Sequence, residues 1–376
     1  MKCNWKECTL GDLITFQRGH DLPKSQMING KYPVVGSNGI IGYHNEYTTE
    51  APSITIGRSG NVGNPYIVYG RTWSHNTTLY VKDFKGNDPV FVYYFLKTMD
   101  LANYAGGSAV PTLNRNHIHT LPIEVPESVG VQKKIGYYLR LFDEKIELNN
   151  AINNNLEQQV QAIFKSWFVD FEPFGGVIPN DWKQTKLGDS CNCILGGTPS
   201  RNKSEYWNGS IPWINSGEVN KFRIIKPSET ITNLGLEKSA TKLLPAKTTV
   251  LAITGATLGQ VSLLEIDACA NQSVVGIIPN DNLPYEYIYP LIKQNTAELI
   301  SHQTGGAQQH INKQNVENLD IIIPTYTHLM KYQNTVCGIY EMIANNCFEN
   351  DRLSSVRDTL LPKLMSGELD VSNVEI

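Results

Sequence analysis

The sequence predicts a mixed α+β fold made twice: two globules, each followed by a long helix, the two helices pairing as an antiparallel coiled coil with pseudo-two-fold symmetry. Three observations predict it. A segment of 41 residues, 131–171, carries one continuous helical stripe; a second stripe of the same pattern begins near Gln333; and short motifs recur in unchanged order in the two halves of the chain.

The first stripe lies in VQKKIGYYLRLFDEKIELNNAINNNLEQQVQAIFKSWFVDF, which has no Pro and, after Gly136, no Gly. Apolar side chains fall at Ile135, Leu139, Phe142, Ile146, Ile152, Leu156, Val160, Ile163 and Trp167, interrupted at Asn149. Steps of three and four place these residues along one face, the pattern of a helix over about 132–168 that meets a partner helix. Adding 201 carries Ile135 to Val336, Leu139 to Tyr340, Phe142 to Ile343, Ile146 to Cys347, Ile152 to Leu353, Val160 to Leu361 and Ile163 to Leu364. The interruption is carried over too, from Asn149 to Asn350. The two asparagines are expected to face each other and fix the register of the pair. Pro362 is expected to stop or kink the second helix near Leu361. The stripes run further than a globule could cover, so each helix is expected to find its cover on the other, in a rod of roughly 55 Å.

Ahead of the helices, WKECTLGD at 5–12 returns as WKQTKLGD at 182–189, an offset of 177, with five of eight residues identical. SITIGRSGNVGNP matches VLAITGATLGQVS with Gly63 on Gly259, an offset of 196, and Leu113-Asn114-Arg115 matches Ile311-Asn312-Lys313 at 198. Growing offsets in a fixed order are what loop insertions in a duplicated domain produce. KYPVVGSNGIIGY, PSITIGRSG, NPYIVYG and NTTLYV in the first copy read as strands, as do IPWINSG, TTVLAITG, GQVSLLEI and QSVVGIIP in the second. PVFVYYFLKTMDLANY and LPYEYIYPLIKQNTAELISHQ read as short helices, and LPIEVP and LDIIIP as closing strands. The expected division is a first globule at 1–126, a central helix at 127–171, a linker at 172–181, a second globule at 182–324, and a distal helix with tail at 325–376.

Composition narrows the function. A chain of 376 residues with 41% hydrophobic and 18% charged residues suits two or three globular domains. No secretory leader and no membrane span is legible, which leads to the expectation of a cytoplasmic protein. Net charge is −4, unlike proteins that coat nucleic acid indiscriminately. Both globules are near neutral, with 11 Lys+Arg against 9 Asp+Glu over 1–126 and 12 against 13 over 177–324. The seven cysteines are irregularly spaced, and Cys191-x-Cys193 has no second ligand pair, so ordinary side chains are expected rather than disulfides or zinc.

No phosphate loop, HExxH or GxSxG motif is present. Asn64-Pro65-Tyr66 lacks the second proline of an adenine-methyltransferase motif and has no companion cofactor loop. Asp143-Glu144-Lys145 is expected to be solvated on a polar helix face, and His117-x-His119 to share a strand face without a third metal ligand. No catalytic residue and no bound metal or cofactor is therefore expected. The chemistry left at matching positions is that of polar loops able to read base edges. In the first copy these are Ser37, Asn38, Arg58, Ser59, Asn61, His75, Asn76, Asn114 and Arg115. In the second they are Arg201, Lys203, Ser216, Thr254, Thr257, Gln260, Asn271, Gln272, Gln308, Gln309, His310, Asn312 and Lys313.

The order globule, helix, globule, helix, with W-K-x-x-x-L-G-D opening each globule, resembles the specificity subunit of type I restriction-modification systems. GGTPSRNKSEYWNGSIPWINSGEV at 196–219, IFKSWFVDFEP at 163–173 and LLPKLMSGEL at 360–369 resemble it too, and the likeness covers essentially the whole chain. It implies that each globule is a target recognition domain for one half of an asymmetric bipartite sequence in double-stranded DNA, and that the coiled coil is spacer and dock for two methyltransferase (modification) subunits. S-adenosylmethionine would belong to those subunits, and ATP and Mg²⁺ to a motor and nuclease (restriction) subunit, of which two copies could join. Alternative readings are a methyltransferase with activity of its own and a coiled-coil scaffold that binds no DNA.

Overall fold

The computed structural model describes residues 4–107, 111–301 and 309–374. It divides into two compact units, residues 1–147 with 352–376 and residues 148–351. Among the described residues, no helix is long and apolar enough to cross a membrane.

In the first unit the strands are β1 (Trp5–Thr9), β2 (Thr15–Arg18), β3 (Tyr32–Gly36), β4 (Gly39–His44), β5 (Ser53–Gly57), β6 (Pro65–Val68), β7 (Trp73–Ser74), β8 (Thr78–Asp83) and β9 (Pro122–Pro126). They form three small sheets: β1-β9, β2-β8-β5-β6 and β4-β3-β7. Every residue of β5 is buried, as suits the β-branched run Ile54-Thr55-Ile56 in a central strand. Asp88 accepts from the Phe91 amide at 2.9 Å and Pro89 follows it, which starts the helix Pro89–Lys97.

The second unit holds β10 (Lys183–Lys186), β11 (Asn192–Leu195), β12 (Trp207–Ile214), β13 (Glu229–Ile231), β14 (Leu243–Leu244), β15 (Thr249–Ala252), β16 (Val261–Leu263), β17 (Ala268–Ala270), β18 (Val274–Ile278) and β19 (Asp320–Ile323). Its sheets, β10-β19, β11-β18-β15-β16 and β13-β12-β17-β14, repeat the first unit's order, with β14 added at an edge. Gly19 and Gly196 show the repeat at one atom. A Cβ on either would overlap the carbonyl of the corresponding loop residue, His75 in one copy and Asn271 in the other.

Strand pairing corrects one detail of the sequence alignment. Ile56 lies opposite Leu79 and Leu251 opposite Val275. The partners differ by 275 − 79 = 196, but the strands themselves by 251 − 56 = 195. The extra residue of the second copy lies in the turn before Gly259, which matches Gly63 in hydrogen bonding and in positive φ (83° and 80°). Arg58 therefore corresponds to Ile253 and Ser59 to Thr254: Leu113 N donates to the Arg58 carbonyl as Ile311 N does to that of Ile253.

The long helices span Val129–Phe168 and Tyr326–Met365, 40 residues each, so the second begins earlier than Gln333. Pro362 does not stop it at Leu361. The helix has under one turn left, so the missing N–H costs one hydrogen bond, and the Pro362 carbonyl still accepts from Ser366 at 3.0 Å.

Nor do the stripes lack cover from the globules. In the first unit Val131, Ile135 and Leu139 of the central helix pack in one core with Phe91, Val92 and Tyr94, joined by Leu361, Leu364 and Met365 of the distal helix. In the second, Val160 and Phe164 share a core with Tyr287, Ile288, Val336 and Tyr340. The aromatic helices Pro89–Lys97 and Tyr285–Gln294 supply the apolar surface that the sequence reading did not allow for. Between these ends the buried line is polar: Asn149, Asn153 and Glu157 are buried, whereas Ile146, Ile152 and Leu156 are only half-buried. Within the second unit Asn149 Nδ2 donates to Asn350 Oδ1 at 2.9 Å, and Asn346 Nδ2 to Asn153 Oδ1 at 2.9 Å. One residue number rises as its partner's falls, so the helix segments there are antiparallel. Asn149 also donates to Glu349 at 2.7 Å, and its own Oδ1 has no hydrogen-bond partner among the described residues.

Two further expectations change. Asp143 is not solvated: it accepts from the Tyr94 hydroxyl and pairs with Arg357, its side chain 15% exposed. His117 and His119 lie on a short helix, Arg115–His119, rather than on a strand. His119 stacks on Phe16, and its Nε2 accepts from the Phe16 amide at 2.9 Å. Burial, with Arg115 and Lys85 nearby, holds its pKa below the ordinary value, which keeps the imidazole neutral for that role.

Candidate nucleic-acid interface

In the first unit Thr77 ties the predicted loops together. Its hydroxyl accepts from the Ser37 amide at 3.3 Å and pairs with His75 Nδ1 at 3.0 Å, while its carbonyl accepts from the amides of Arg58 and Ser59. Ser37 and the exposed Asn38 form the β3–β4 turn, with Ser37 against the turn that carries Asn61. Asn61 accepts from Asn64, and Asn76 donates to Asp21, which lies 3.9 Å from Arg18.

On the other side of Arg58 lies a cleft of about 340 Å³ lined by Arg18, Arg58, Leu79, Thr112, Leu113, Asn114 and Arg115. The nine first-copy residues therefore share one loop surface. Asn114 spends part of its capacity locally, since its Oδ1 caps the following helix through the Asn116 amide at 3.0 Å. Arg18, Asp21 and Thr77 belong to this surface but escaped the sequence reading. Arg18 ends a strand, and Thr77 acts through a hydroxyl and a carbonyl like those of any turn; neither position stands out in a single sequence.

The second unit gathers most of its set at the corresponding end of β15. Thr254 bridges to His310, Gly255 N donates to the Gln309 carbonyl at 3.1 Å, and Thr257 donates to the Thr254 carbonyl at 3.3 Å. Ser216 opens a 3₁₀ turn packed on residues 255–257. Asn271 turns the chain by accepting from the Ser273 amide at 3.1 Å, and Gln272 accepts from Thr198. Gln260 has a buried Oε1 without a hydrogen-bond partner among the described residues. Asn312 and Asn315 cap each other's amides at 2.9 Å, and Lys313 is paired with Glu317 at 2.9 Å. Arg201 is bound to Glu229 at 2.9 Å with its guanidinium 3.7 Å from the centre of the Trp207 ring, and Lys203 donates to the Tyr206 hydroxyl at 3.0 Å; nothing brings either into contact with the Thr254 group. Gln308 lies outside the described residues.

No group of three or more His, Cys, Asp or Glu suited to a metal occurs among the described residues. Burial pushes the thiols of Cys191 and Cys193 up to about 12, out of the range of thiolate chemistry at neutral pH. What the two surfaces offer is hydrogen-bond donors and acceptors on loops held by a sheet, together with the guanidinium groups of Arg58 and Arg115 on the first, which have no ion-pair partner among the described residues.

Comparison with known proteins gives the same outline. The model of the type I restriction modification DNA specificity domain matches twice, at residues 2–158 and 179–328. The specificity subunit of the type I restriction enzyme HindI of Haemophilus influenzae is 26% identical over 357 residues, covering 75% of this chain and 77% of its own. That of MjaIX from Methanocaldococcus jannaschii is 29% identical over 302 residues, covering 76% and 70%. The crystal structure of a type I restriction-modification S subunit from M. genitalium superposes with a TM-score of 0.65 over 96% of both chains at 17% identity, a likeness of fold. With two copies of that domain accounting for most of its length, the chain belongs to the family of type I restriction-modification specificity subunits.

Proposed function

We propose that residues 1–126 and 182–324 are two target recognition domains that read the different halves of an asymmetric bipartite DNA sequence. The helical segments 127–171 and 325–376 serve as spacer and as dock for two methyltransferase subunits, and residues 172–181 as the linker. As a specificity subunit the chain is the non-catalytic, sequence-recognising member of its complex, and modification and restriction subunits do the chemistry. S-adenosylmethionine would be held by the modification subunits, ATP and Mg²⁺ by a restriction subunit, and the complex would work in the cytoplasm.

The observation that supports this reading best is the pair of polar loop surfaces at corresponding ends of one sheet topology, alike in framework and different in side chains. Direct readout needs such donors and acceptors presented without rearrangement. Two different sets then read two different half-sites. Methylome sequencing of a host carrying this chain and its methyltransferase partner tests it: a methylated motif of two unlike halves around a fixed gap is the expected result. A palindromic or ungapped motif, or none, would overturn it. Methylation by the isolated chain would establish an activity of its own.

A further inference from the structure

The two loop surfaces differ most in charge. In the first, Arg18, Arg58 and Arg115 line a single cleft with Asn114, and no carboxylate lines it. Among the described residues neither Arg58 nor Arg115 has an ion-pair partner; Arg18 approaches Asp21 only at 3.9 Å, both side chains more than half exposed. An exposed pair at that distance leaves Arg18 available to a stronger anion.

The corresponding residues of the second unit follow from pairing rather than from alignment. Arg18 pairs with Leu79 as Leu195 pairs with Val275, so Leu195 stands for Arg18. Ile253, 4% exposed and part of the core, stands for Arg58. Lys313 stands for Arg115 and is already bound to Glu317 at 2.9 Å. Three guanidiniums in one copy thus correspond to two aliphatic side chains and one paired lysine in the other.

From this contrast we infer that the cleft of the first globule clamps the DNA backbone by phosphate contacts from Arg18, Arg58 and Arg115, and that the second globule holds its half-site without such a clamp. Several converging cations in a cleft free of acid groups suit an oxyanion, whereas reading guanine takes a single guanidinium in an open groove. The inference rests on the DNA-reading function above and adds a division of labour: the first globule supplies most of the salt-sensitive grip, the second relies on shape and uncharged contacts. Arg18, which no sequence motif singles out, becomes a backbone-contact residue.

The test uses the full chain in complex with its methyltransferase subunits, and three duplexes: the target found by methylome sequencing and two versions with one half-site scrambled. Affinity is measured from 50 to 300 mM salt. Each of Arg18→Ala, Arg58→Ala and Arg115→Ala is expected to lower the slope of log K against log salt by about 0.9, and to weaken binding about fivefold at 0.15 M salt, equally on all three duplexes. Arg58→Lys is expected to recover most of the slope, because a phosphate accepts a point charge where a bidentate base contact does not. Unchanged slopes in all three variants would overturn the clamp. So would a loss confined to duplexes with an intact half-site, which would make the arginines base readers. If the unaltered complex did not prefer its target over both scrambled duplexes, the DNA-reading function itself would fail, a distinct result. Far-ultraviolet circular dichroism of each variant shows that the fold is retained.

Discussion

Arg223 has no solvent-exposed side-chain surface, and its charge is shared between Glu157 at 3.0 Å and Glu265 at 3.5 Å beneath the Tyr289 ring. Burial opposes ionisation of Glu157, but Arg223 and Lys293 outweigh it and hold the carboxyl below its ordinary pKa. Arg223→Met should therefore destabilise the chain by about 3 kcal/mol, at the low end for a broken buried pair, because Lys293 and Lys247 remain beside the two carboxylates. Urea unfolding would measure it, and an unchanged midpoint would show that the network contributes nothing. Glu286 has the opposite sign. It is buried, and although the Gln333 amide at 3.3 Å and Tyr285 hydrogen-bond to it, burial outweighs them and raises its pKa. At about pH 3, more than a unit below the free carboxyl value of about 4.3, the proton is bound whether the chain is folded or unfolded. As pH rises through that value, only the unfolded chain releases the proton easily, so the folded state loses stability. Glu286→Gln should raise the melting temperature at pH 7 and leave it unchanged at about pH 3. A variant that melted lower at pH 7 would show that the ionised carboxylate is well solvated in place.

At the scale of elements, the polar middle of the central helix is the feature that most needs a partner. Replacing Asn149 and Asn350 together by leucine removes an unsatisfied buried oxygen, and should raise the melting temperature while loosening the register. Cys347 lies 3.5 Å from the Asn153 amide, so Asn153→Cys should form a disulfide with it efficiently. The yield should fall when both asparagines are leucine; an equal yield would deny them any part in register. Much of this architecture was legible in advance. Both helices, most strands and the duplication follow from apolar spacing and repeated motifs. The buried positions Asn153 and Glu157 were not legible, because apolar periodicity cannot mark a polar side chain whose partners, Asn346 and Arg223, lie far away in sequence. The single-residue shift at Arg58 was hidden for a similar reason: glycines anchor the alignment of the turn, while strand pairing sets the register of β5 and β15.

For the whole molecule, the duplication predicts independence of the two readers. Asn38→Ala with His75→Ala should change or relax one half of the methylated motif, and Thr257→Ala with Gln260→Ala the other half, as read by methylome sequencing. Both pairs acting on the same half would contradict the assignment of one reader to each half-site. The candidate loops could be listed from the sequence because they match in the two copies. Which members meet in space could not, since Thr77, the residue that joins them, contributes a hydroxyl and a carbonyl that resemble those of any turn.

The first unit's core contains Leu361, Leu364 and Met365, and Gly367 lies against Trp5. This bears on the order in which the protein is made. At ribosomal speeds of about 5–20 residues per second, the first globule waits roughly 10–50 s after its own strands emerge before the last part of its core exists. During that interval the amides of Asn149 and Asn153 are without their partners, which lie around 200 positions downstream. A wholly apolar helix left uncovered for so long would invite association between nascent chains. One with asparagines at its middle stays hydrated until the right segment arrives, so its polar interior protects the newborn chain as well as aligning the finished one.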